Sequence, residues 1–66
     1  MVPYKLTRTQ LEIAKQIASG MTCQKIADQR FRALRTIEAH ASQIRDRTYS
    51  ETMPEAIYKL TKAQLI

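Results

Sequence analysis

Glycine, proline, cysteine and tryptophan are all scarce in this 66-residue chain, which holds one Gly, two Pro, one Cys and no Trp. With so few breakers it has room for one small helical domain, whose core is marginal on its own and gains from self-association. The lone thiol, Cys23, can make no intrachain disulfide, and with His40 as the single histidine it cannot complete a zinc site. No apolar run approaches the ~20 residues of a spanning helix and nothing resembles a signal peptide, so a cytoplasmic chain is expected. There is no glycine-rich loop for a nucleotide, and the carboxylates Glu12, Asp28, Glu38, Asp46, Glu51 and Glu55 show no pairing suited to acid/base or metal chemistry. An enzyme is therefore not expected, nor is a cofactor. Tyr4, Tyr49 and Tyr58 are too dispersed for a single-strand stacking platform and are expected to pack at the domain edges.

What the chain does have is positive charge in one place. Eleven Lys and Arg stand against six Asp and Glu, a formal net charge of +5. Arg30, Arg32, Arg35, Arg45 and Arg47 lie in one short segment, with only Arg8 outside it. A basic face of this kind favours nucleic acid over a generic solvated surface.

Four helices and no strand are expected, an all-α fold. Thr7 and Gln10 form a capping box, flanked by Leu6 and Leu11 as a hydrophobic staple, so a first helix is expected over about 8–19, closed by Gly20. Thr22 caps a short second helix over about 23–29, with Ile26 and Ala27 inward and a turn over 30–33. A third helix is expected over about 34–48. Its apolar stripe of Leu34, Ile37, Ala41 and Ile44 leaves Arg35, Glu38, Ala39, Ser42, Gln43 and Arg45 off that stripe. Thr52 and Glu55 suggest a second capping box, and Pro54 is tolerated in a first turn, so a last helix is expected over about 53–64.

The ordered set Leu6-Thr7, Glu12-Ile13, Ala18, Gly20-Met21-Thr22, Ile26-Ala27, Phe31, Thr36-Ile37, His40, Ile44 and Glu55-Ala56 resembles the LuxR-type, or GerE-type, helix-turn-helix domain of bacterial transcription regulators. The resemblance spans about 6–60. It implies four helices, the third laid in the major groove of double-stranded DNA and the fourth used for homodimerisation.

By that resemblance Glu38, Ala39 and Ser42 face the bases: Glu38 accepts from cytosine N4, Ala39 packs on a thymine methyl and Ser42 serves several bases. Glu38 also reads as a solvated residue paired with Arg35 or Arg45. Arg35, and Arg32 from the turn, reach a guanine or a phosphate, while Thr22, Thr36, Gln43, Arg45 and Arg47 are candidates for backbone contacts. His40 falls in the family's pattern as a packing or phosphate-neighbouring group, not a catalyst. Ala56, Ile57, Leu60 and Ala63 give the fourth helix an apolar stripe for a homodimer.

Several residues depart from the family pattern. Thr9-Gln10 replace an Arg-Glu pair, Lys25 a glutamate and Met53 an arginine, while Ala33 stands where serine caps the recognition helix, with Thr36 as a substitute further in. Arg30 and Arg32 take positions of core aliphatics; their stems are expected to snorkel, with Phe31 and Leu34 supplying the missing apolar volume. These departures keep a rival open, a module that captures RNA polymerase or another regulator through its fourth helix or its arginine-rich turn. Family members carry an input domain before this module, and Met1 with the intact first cap favours a stand-alone regulator over an excised domain.

Overall fold

Thr7 begins the first helix by a reciprocal exchange: its hydroxyl accepts the Gln10 N–H at 3.1 Å, and Gln10 Oε1 accepts the Thr7 N–H at 3.0 Å. In the computed structural model, which describes residues 4–66, this box opens α1 (Arg8–Ala18). Met1 lies outside the described residues. Thr22 opens α2 (Cys23–Arg30) by accepting the Lys25 N–H at 3.2 Å. The other two helices are α3 (Leu34–Arg47) and α4 (Met53–Lys62), with no strand among the described residues.

The caps of α3 and α4 differ from expectation. Ala33 precedes α3 with no side-chain hydrogen bond, and Thr36 does not replace the cap; its N–H bonds back to the Ala33 carbonyl at 3.0 Å. A Thr hydroxyl inside the first turn sits past the donors that a cap must reach. At α4, Thr52 accepts the Glu55 N–H at 3.3 Å, but Glu55 reaches past Thr52 to the Glu51 N–H at 2.9 Å, so the box is not reciprocal.

All four helices finish on a left-handed residue followed by a six-to-one hydrogen bond, the Schellman arrangement. Gly20 fills this position after α1, with φ 101°. Phe31, Tyr49 and Gln64 fill it after α2, α3 and α4, with φ of 55°, 55° and 60°. The closing bonds run from Met21 to Gln16, Arg32 to Ala27, Ser50 to Arg45 and Leu65 to Leu60, at 2.8–3.1 Å.

α3 packs against each of the other three helices. The core joins Ile13 and Ala14 of α1, Ile26 and Ala27 of α2, Ile37 and Ile44 of α3, and Ala56 and Leu60 of α4. Each large aliphatic among them contributes roughly 1.5–3 kcal/mol by leaving water. At the far end of α3, Lys59 donates to the Thr48 and Tyr49 carbonyls at 3.1 and 2.7 Å, setting a positive charge against the negative end of the helix.

Two expectations are corrected here. Ala56 and Leu60 are fully buried in the chain's own core, because α4 lies across α3 and turns that part of its stripe inward; they offer nothing to a second copy. Phe31 is 93% exposed and fills no core volume, since the left-handed turn after α2 carries it outward. Leu34 is half-buried. Tyr49 and Tyr58 stand largely in solvent as well, and Tyr4 alone of the tyrosines packs against the core.

Candidate nucleic-acid interface

The outer side of α3 follows from its winding. At 3.6 residues per turn, with Ile37, Ala41 and Ile44 inward, the centre of the opposite face falls to Arg35, Ala39, Ser42 and Asp46, all exposed. Glu38 and half-buried Arg45 share one border of that face. Exposed Thr36, Gln43 and Arg47 share the other. The two arginines thus stand on opposite borders near the end of the helix.

Arg32, Arg35, Arg45 and Arg47 make no salt bridge among the described residues, and neither does Glu38. The alternative reading, a pairing of Glu38 with Arg35 or Arg45, does not form among the described residues. Acid and base are matched elsewhere: Glu12 takes Arg8 at 3.4 Å and Arg30 at 3.2 Å. Arg30 also donates through Nε to Gln16 at 2.8 Å, so its stem crosses the edge between α1 and α2 while its head stays in a polar seam. Of the two arginines at aliphatic positions, Arg30 therefore supports the fold, and Arg32 is exposed, with no acid partner among the described residues.

The border of Thr36, Gln43 and Arg47 is tied to the start of the chain. Gln43 Oε1 accepts from Gln10 Nε2 at 2.6 Å, and an Arg47 guanidinium nitrogen donates to the Lys5 carbonyl at 2.9 Å. The first contact orients α3 on α1, the second ties it to the segment before α1, and both side chains keep further donors for an outside acceptor. Thr22 is exposed, and its hydroxyl proton remains available while its oxygen serves as the α2 cap. Sequence reasoning missed the Gln10–Gln43 link and the Lys59 contact, because pairings over 33 and 11 residues leave no local pattern.

Residues 4–56, most of the chain, match the luxR family of bacterial regulatory proteins through its GerE domain, and the chain belongs to that family of DNA-binding transcription regulators. Neither a curated protein nor a solved structure matches it. No helix among the described residues is long and apolar enough to cross a membrane.

Proposed function

We propose that the chain binds double-stranded DNA sequence-specifically, as a homodimeric transcription regulator of the bacterial cytoplasm or nucleoid, with α3 in the major groove. The observation that carries this reading is the set of arginines without an acid partner among the described residues, on and around an exposed α3 face whose centre also holds Ala39, Ser42 and Asp46. Arg45 and Arg47, on opposite borders, hold phosphates on either side of the groove, with Thr22, Thr36 and Gln43 adding backbone hydrogen bonds. Arg32 and Arg35 sit at the leading end of the helix, where a guanidinium reaches a guanine edge or a phosphate.

Glu38, Ala39 and Ser42 read bases. A glutamate without a cationic partner beside a polyanion is repelled by it, and acceptance from a cytosine amino group offsets that cost only at the right sequence. The second copy docks on the outer part of α4, exposed Pro54 and Tyr58 with half-buried Met53 and Ile57, and with half-buried Ala63 at the margin. Two-fold pairing there sets the recognition helices about one DNA turn, ~34 Å, apart on a near-palindromic site.

Selection from a random duplex pool tests the reading. The parent enriches one motif, and Glu38→Ala loses preference at one base pair per half-site while keeping or gaining total affinity. Identical preferences for parent and variant at every position remove Glu38 from base readout, and the absence of any enriched motif removes sequence-specific binding.

A further inference from the structure

A cleft of about 480 Å³ lies between the start of α1, the turn after α2 and the first half of α3. Three independent features meet in it. His40 lines it, and the His40 Nδ1 is buried without a hydrogen-bond partner, which is unfavourable until some group supplies one. Arg32 lines it with no acid partner among the described residues, whereas Arg30, the other cation there, is held by Glu12 and Gln16. Phe31, almost wholly exposed, lines it as well, as do the buried Ile13 and Ile37. No carboxylate lines the cleft among the described residues.

We propose that this cleft binds a small organic carboxylate with a single ring or short chain. The carboxylate accepts from the Arg32 guanidinium, whose planar fork matches its two oxygens; because His40 Nδ1 is shut off from solvent, the imidazole turns toward the cleft to donate to it, in the tautomer that carries its proton on Nδ1. The apolar body lies against Phe31 and covers a side chain that is otherwise in water. One cation without an acid partner among the described residues suits a monoanion, and the volume falls within the range of small-molecule sites. Thr36 also lines the cleft, so the occupant abuts the first turn of the helix proposed to contact DNA. Binding is measured without DNA, so this proposal and the DNA reading fail separately.

The test is a ¹⁵N NMR titration of the full chain with phenylacetate, phenylacetamide and inorganic phosphate. Saturable shifts at the amides of Phe31, Arg32, Thr36 and His40 are expected with phenylacetate, with at least about ten-fold weaker binding of the neutral amide and of phosphate. Arg32→Gln, at an exposed position that leaves the fold intact, is expected to weaken phenylacetate at least about five-fold, and His40→Phe to do the same where the variant keeps a dispersed spectrum. Shifts that never saturate, equal binding of the amide or of phosphate, or parent-like affinity of Arg32→Gln would each overturn the proposal.

Discussion

Gln10 and Gln43 bind α1 to α3 through one amide-to-amide hydrogen bond of 2.6 Å, made by a Gln10 side chain that is 2% exposed. The same Gln10 accepts the Thr7 N–H, so one buried carboxamide both starts α1 and sets the position of the helix proposed to read DNA. Gln43→Ala leaves a buried donor without its partner and is expected to lower stability by about 1 kcal/mol. Urea unfolding measures it. A variant as stable as the parent would show that water satisfies Gln10 equally well.

Tyr49 ends α3 with φ 55° while its side chain is 81% exposed, so it takes a left-handed backbone with little packing in return. That conformation costs a non-glycine residue roughly 1–2 kcal/mol, against about 0.5–1 kcal/mol for the greater unfolded freedom of glycine. Tyr49→Gly is therefore expected to stabilise the chain by up to about 1 kcal/mol, read as a raised urea midpoint. A lowered midpoint would mean that the tyrosine ring contributes packing that outweighs the backbone cost.

The start of α4 carries a pH dependence. The Glu51 N–H holds the Glu55 carboxyl below its usual range, with Lys59 acting in the same direction against a desolvation effect that opposes it. Because the folded value is depressed, the contribution is complete above the unfolded range near about pH 4.3 and is lost as pH falls through the folded value. Urea unfolding between pH 7 and pH ~3 is expected to show a shallower acid decline for Glu55→Gln than for the parent. Parallel declines would assign the acid sensitivity to other carboxylates.

The starts of α1, α2 and α4 were legible because their causes are local: Thr7 with Gln10, Thr22 and Thr52 each act within four residues. The ends were only partly so. Gly20 announces a left-handed residue, whereas Phe31, Tyr49 and Gln64 take that conformation because the following chain must turn back onto the core. The α4 stripe was legible as apolar but not as to what covers it, since a face buried by its own core has the same pattern as one kept for a partner. At the candidate interface, the outward face of α3 followed from periodicity. The cleft beside His40 did not, because it depends on where the turn throws Phe31.

That distinction makes Ile57, and not Leu60, the residue whose replacement tests the dimer. Leu60→Lys would place a charge at a fully buried core position and unfold the chain. Ile57 is half-buried beside a mostly apolar groove of about 420 Å³ that it lines with Ile17, Ala18, Met53, Pro54 and Tyr58. Ile57→Lys is expected to keep the helical circular dichroism spectrum and convert a dimer to a monomer in sedimentation. A parent chain that sediments as a monomer at high concentration would remove the homodimer and favour capture of another protein.

The most direct measurement is the affinity of the parent, Arg45→Ala and Arg47→Ala for the selected duplex and for a scrambled duplex across a salt series. The parent is expected to prefer the selected duplex by at least about 10³-fold, and each alanine variant to weaken both duplexes and flatten the salt slope by about one. Equal affinity for the two duplexes, with the parent's salt slope kept in both variants, would contradict sequence-specific binding through α3.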